Sequence, residues 1–213
     1  MNIIKPQKKL FQNLNEIPDL EQAIETTDEL ININLANYQA EEVEINEIKI
    51  EKSIITNTHI TQSNLASNIF IDVEFKNCNF SNTSFENCSF VRCEFNNCKM
   101  TGCNFIESRL YNVSFIETNL NYANMSLASI ENVVFERTGL RNSNFQENRL
   151  KNIIFKEADL TGAQVFKTSL KGLDFSDSTI EGISVSIEDI QGATINQFQA
   201  LDLMYLIGVK IKY

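Results

Sequence analysis

FENCSFVRCEFNNCKMTGCNF (residues 85–105) repeats its chemistry every five residues. Phe85, Phe90, Phe95, Met100 and Phe105 form one column, and Cys88, Cys93, Cys98 and Cys103 form a second, two residues ahead of it. Followed in both directions, the first column runs in steps of five from Ile45 to Ile195, thirty-one positions that are all apolar. A period of this kind is the signature of a repeat architecture. The second column holds Cys78, Thr83, Ser108, Val113, Thr118, Ala123 and Ala128 beside the four cysteines already named. All five cysteines therefore share a small-residue column and read as wall-fillers. Zinc sites usually present CxxC pairs, which do not occur here. A disulfide between Cys78 and Cys98, twenty residues apart, is the lesser alternative in a reducing cell.

Two inward residues standing two apart are strand alternation. The two polar residues that follow break the alternation and make a corner. Each five-residue unit is thus a short side and a bend, and a chain of such units winds into a solenoid. The period leaves open how many sides close one coil.

Composition narrows the function classes. The 213 residues include two prolines, seven glycines, no tryptophan and one histidine, with a formal net charge of −10. That charge argues against direct binding to nucleic acid or to an anionic membrane. The opening MNIIKPQKKLFQNLNEIPDL contains no continuous apolar run, so neither a signal peptide nor a membrane span is expected, and the expected compartment is the cytoplasm. His59 is predicted to face outward, and the chain holds no phosphate-binding glycine loop, nucleophile elbow or metal cluster. No enzyme activity, cofactor or metal is expected.

ADLTG (158–162), CNFIE (103–107) and TNLNYANMSLASI (118–130) resemble the units of the pentapeptide-repeat family: a small residue, a polar one, Leu or Phe, then two polar residues. The resemblance implies an all-β fold, a right-handed quadrilateral β-helix of twenty residues per coil with Phe and Leu stacked inside. At ~4.8 Å per coil, the repeat makes about eight coils and roughly 37 Å of rod.

The ends differ from the repeat. Residues 1–30 lack it and read as an N-terminal cap over an open coil edge, with the β-helix spanning 31–195. In 196–213, Asn196 with Gln199 forms a helix N-cap pair, Gln197–Leu206 reads as a short helix, Gly208 stops it, and VKIKY (209–213) follows as a short strand. Phe198, Leu201, Met204 and Tyr205 share one face of that helix, which serves either as a lid or as a dimer interface. TSLKGLDFSDSTIEG (168–182) followed by QFQALDLMYLIGVKI (197–211) looks like the C-terminal part of the Qnr quinolone-resistance proteins, most nearly their loop-free, chromosomally encoded members. That resemblance implies a homodimer joined through the C-terminal segment. It also implies a DNA-mimic-like partner of type II topoisomerases, DNA gyrase and/or topoisomerase IV, that protects them from quinolones. The alternatives are an immunity factor or regulator acting on gyrase, and a passive structural scaffold.

Four units per coil also sort the outward charges into faces. One carries Glu74, Glu94, Glu117, Glu136, Glu157, Asp174 and Asp177 against Lys76, Arg137 and Lys156, and is the expected partner-binding side. Its neighbour is mildly basic, with Lys49, Lys52, Arg92, Arg109, Arg149, Lys151 and Lys171. Duplex DNA of the rod's length carries about twenty-two charges at ~1.7 Å each, so seven acids support only local mimicry.

Overall fold

Strand alternation and corner chemistry alternate every five residues, and the computed structural model, which describes residues 3–6 and 8–210, winds accordingly. Strands β1 (Asn15–Ile17), β2 (Glu29–Ile31), β3 (Ile33–Ala36), β4 (Gln39–Glu41), β5 (Lys49–Thr56), β6 (His59–Thr61) and β7 (Ile69–Lys76) come first. Strands β8 (Ser89–Val91), β9 (Glu94–Asn96), β10 (Arg109–Ile116), β11 (Ser129–Glu136) and β12 (Arg149–Lys156) follow. Every pairing is parallel, and ten of the strands join one sheet. From β2 onward the register advances by twenty, as in Leu110↔Ile130↔Leu150, so four five-residue units close one coil. The result is a parallel β-solenoid of about 7 turns. The expected quadrilateral β-helix is the fold of this chain.

The apolar column forms the core. Of its thirty-one members, twenty-eight are buried, while Leu150, Ile190 and Ile195 are half-buried. Rings one coil apart stack with centroid separations of 4.4 Å (Phe75–Phe95), 4.9 Å (Phe95–Phe115) and 5.2 Å (Phe115–Phe135), and the ladder continues through Phe155 to Phe175. These distances match the ~4.8 Å strand spacing, because the coil rise sets the ring rise.

The smaller column does more than fill space. Thr83, Ser108, Thr138 and Thr168 each donate a hydroxyl hydrogen bond of 2.7–3.0 Å to the carbonyl twenty-three residues earlier, on the coil above. The thiols of Cys88 and Cys103 do the same toward Leu65 and Phe80, at 3.0 and 2.9 Å. All five cysteines are buried and free. Burial pushes the Cys88 and Cys93 thiols up to about 12 and raises Cys103 further in the same direction.

Both ends depart from the coil. At the N-terminus, a 3-10 turn at Lys8–Phe11 and helix α1 (Leu20–Ile24), capped by Asp19, precede the repeat, and Leu20 is buried against the first coil. At the other end the apolar phase persists to Ile195, but the backbone turns helical at α2 (Ile187–Ile190). Ser186 caps that turn by accepting from the Asp189 amide, and Glu188, whose charge has no place in the inward column, is exposed. Helix α3 (Gln197–Asp202) carries the predicted capping box of Asn196 and Gln199. It then tightens into a 3-10 turn, Leu203–Ile207, that ends at Gly208 with φ 74°. The predicted α-helix is thus shorter than Gln197–Leu206. Val209 and Lys210 are not strand, and the remainder of the expected VKIKY strand lies outside the described residues.

Candidate interaction surfaces

The corner position two residues after each core residue fixes what the rod shows to solvent. From 32 to 192 in steps of five there are thirty-three such positions, and thirty-one are left-handed. Asparagine and glycine accept that conformation at least cost, and asparagine is the commonest residue in the series. The other two, Asp177 and Ile187, lie where the regular coil gives way to the helical C-terminal end.

On the predicted acidic side, Glu74, Glu94, Glu117 and Glu136 are spoken for. Lys76 pairs with Glu74, Lys5 with Glu94 at 2.7 Å, and Arg137 with Glu117 at 3.0 Å. Glu136 receives both Arg137 at 2.6 Å and Lys156 at 2.9 Å, and these hydrogen bonds, Lys156 first, hold its carboxyl below the usual range. Glu74 is itself buried. Lys5 reaches this face from an N-terminal arm. The Ile4 amide donates to Asn112 Oδ1 at 3.4 Å, Pro6 is buried, and Asn112 and Ser114 beside the arm are buried as well. Sequence spacing could not find this neutralisation, because the arm lies outside the repeat and docks about a hundred residues away.

Glu157, Asp174 and Asp177 behave differently. They are exposed and, among the described residues, carry no ion pair. Asp174 and Asp177 line a groove of about 490 Å³ with Ile154, Lys156, Gly172 and Ser176. Ser176 donates its backbone amide to Asp174 at 2.9 Å, and hydrogen bonds from Ser176 hold the Asp174 carboxyl below its usual range. On this face, the negative charge free of ion pairs among the described residues is therefore gathered toward the C-terminal end of the rod.

On the basic neighbour, Arg92 is committed to Asp72 through two hydrogen bonds of 2.8 and 2.6 Å, Lys49 and Lys52 to Glu51, and Lys151 to Glu131. Arg109 lies over the Tyr111 ring at 5.5 Å. His59 is exposed, as its place in the repeat predicts.

The C-terminal segment divides into an inner and an outer set. Gln199 is buried; its Nε2 donates to Phe175 O at 2.8 Å and Ser178 O at 2.7 Å, while its Oε1 accepts from the Asn196 amide. Leu203 is buried beside it. These two residues make the lid, a role the sequence pattern did not assign to them. Of the four predicted interface residues, Phe198, Leu201 and Tyr205 are exposed by 69%, 50% and 51%, and Met204 is half-buried. The Tyr205 hydroxyl donates to Ile183 O. Ile207 and Val209 extend the exposed apolar set beyond the residues the pattern singled out.

A family profile described as a pentapeptide repeat region matches residues 68–145 and 88–164. No curated protein matches the sequence. Among solved structures, a trypsin-treated form of QnrB1, described as a plasmid-mediated fluoroquinolone resistance protein, is 20% identical. The match covers 86% of this chain and 99% of that one, at a TM-score of 0.42. HetL, a pentapeptide repeat protein involved in heterocyst differentiation regulation in Nostoc sp., is 12% identical over 78% of this chain and 86% of its own, at 0.32. A pentapeptide repeat protein of the Arabidopsis thaliana thylakoid lumen is 16% identical over 60% and 72%, at 0.38.

Proposed function

Because residues 68–164 are a pentapeptide repeat region, we propose that this chain is a protein-binding rod of that family that docks on type II DNA topoisomerases and protects them from quinolones. The observation that carries the reading is the set of acids without an ion pair among the described residues toward the C-terminal end of the rod, Glu157 with the groove-lining Asp174 and Asp177. A groove built to hold duplex DNA is basic, and carboxylates on a rod offer it complementary charge. The resemblance of residues 168–182 and 197–211 to the Qnr proteins supports the choice of gyrase and topoisomerase IV as partners. The same segment supports a homodimer. Once Gln199 and Leu203 have closed the coil, Phe198, Leu201, Tyr205, Ile207 and Val209 remain exposed together at one end of the rod.

The deciding experiment is quinolone inhibition of purified gyrase supercoiling with and without this protein. The expected result is restored supercoiling at low protein-to-enzyme ratio. Unchanged drug inhibition at saturating protein would exclude the reading.

A further inference from the structure

A second surface is the face of the coil opposite the groove's side, together with the two corners that flank it. Tyr122 and Leu127 occupy successive corners of one coil, both with φ 61°, and are exposed by 63% and 49%. Among the described residues with positive φ other than glycine, they alone are apolar or aromatic; the rest are Asn, Asp, Glu, Gln, Lys, Arg or Ser. The stacked coils carry Gly102, Asn142, Gly162 and Gly182 at the corner of Tyr122, and Glu107, Glu147 and Lys167 at that of Leu127. A bulky side chain in this backbone region is strained. Neither residue is buried, so the fold gains no core packing in return.

The apolar character continues down the edge. Phe166, next to the Lys167 corner, is 42% exposed, and Ile187, three coils below Leu127, is 43% exposed. At ~4.8 Å per coil this edge is about 14 Å long. Between the two corners of the Tyr122 coil lies a flat ladder of Asn104, Asn124, Asn144 and Gln164, bridged strand to strand. Glu107, one coil above Leu127, and Glu86, beside the corner two coils above it and hydrogen-bonded by Asn104 at 3.2 Å, carry no ion pair among the described residues, whereas Glu147 is held by Lys167 at 2.8 Å.

We propose that the face bounded by Tyr122 at one corner and by Leu127, Phe166 and Ile187 along the other is a docking surface for a protein partner with an apolar pocket edged by Lys or Arg. The carboxylates beside the apolar residues complement a basic rim and disfavour phosphate-rich surfaces such as nucleic acid or anionic lipid. An aromatic and an aliphatic side chain projecting from a rigid, flat scaffold are suited to anchor such a contact. For the identity of the partner this inference rests on the proposed function, and the pocket is then one on the topoisomerase.

The test replaces both corner residues by the type their neighbours use, Tyr122→Asn with Leu127→Asn, and measures affinity for purified gyrase together with the thermal midpoint and the sedimentation mass. Asparagine is at ease in this backbone, so the midpoint is expected to hold or rise while affinity falls by about tenfold or more. Affinity within about twofold of the wild type overturns this inference alone. A lowered midpoint also overturns it, by making the two residues structural, and a drop in mass does so by making the edge a contact between copies of the chain. Failure of the wild type to bind gyrase overturns both this inference and the proposed function.

Discussion

Each inward position of the repeat carries a specific duty. Phe95 is fully buried between Phe75 and Phe115, at 4.4 and 4.9 Å. Phe95→Ala is expected to cost ~3–5 kcal/mol, because a rigid ring ladder cannot close over the cavity; urea unfolding measures it. The thiols make a pH-dependent contribution. Cys88 and Cys93 titrate near 12 when folded, against 9.0 for the ordinary thiol. Their folded values are raised, so the stability they confer is complete below pH 9 and is lost as pH rises toward 12. A denaturant midpoint that falls across this range, and falls less in Cys88→Ser with Cys93→Ser, is the expected result. These duties explain why Cys, Thr, Ser and Ala interchange in one column: each is small, and the first three also donate to the coil above.

Among the elements, the C-terminal segment is the most informative, because one short helix both closes the coil and leaves an apolar surface. Gln199 donates to the Phe175 and Ser178 carbonyls and accepts from the Asn196 amide, and the Phe175 carbonyl also accepts from the Ser178 amide at 2.9 Å. Gln199→Ala is expected to destabilise the terminal coil by ~1–3 kcal/mol, the cost of leaving buried groups unpaired. Hydrogen exchange should quicken around Phe175–Ile195 and stay unchanged around Phe85–Met125, since solenoid repeats couple mainly to their neighbours. For the proposed dimer, Phe198→Asp with Leu201→Asp is a cleaner test than any change at Met204, which is half-buried and whose replacement would also disturb the lid. Sedimentation is expected to show monomers with the thermal midpoint of the fold retained.

Over the whole molecule, charge decides which face is available. Reversing Glu94, Glu117 and Glu136 would break ion pairs with Lys5, Arg137 and Lys156, so any loss of activity would mix folding with binding. Reversal of Glu157, Asp174 and Asp177 to Lys touches no ion pair among the described residues. It is expected to abolish protection of gyrase supercoiling while leaving the circular dichroism unchanged and the thermal midpoint lower by no more than the loss of the Asp174–Ser176 turn hydrogen bond, as Asp174→Lys alone measures. Protection that survives this change would remove the acidic groove from the mechanism.

The five-residue period by itself determined the solenoid, the inward columns from Ile45 to Val185, and the corners, because each of these follows from which side chains local geometry turns inward. The capping pair of Asn196 and Gln199 was legible for the same reason: both partners sit within one helical turn. Contacts made across large sequence separations left no such pattern. Lys5 pairing with Glu94, Gln199 closing on Phe175, and Lys156 joining Arg137 on Glu136 were decided only when the coils stacked and the ends folded back. So was the division of the acidic face into a neutralised stretch and an open groove, since whether a charge is free depends on what the tertiary structure brings within ion-pairing distance of it.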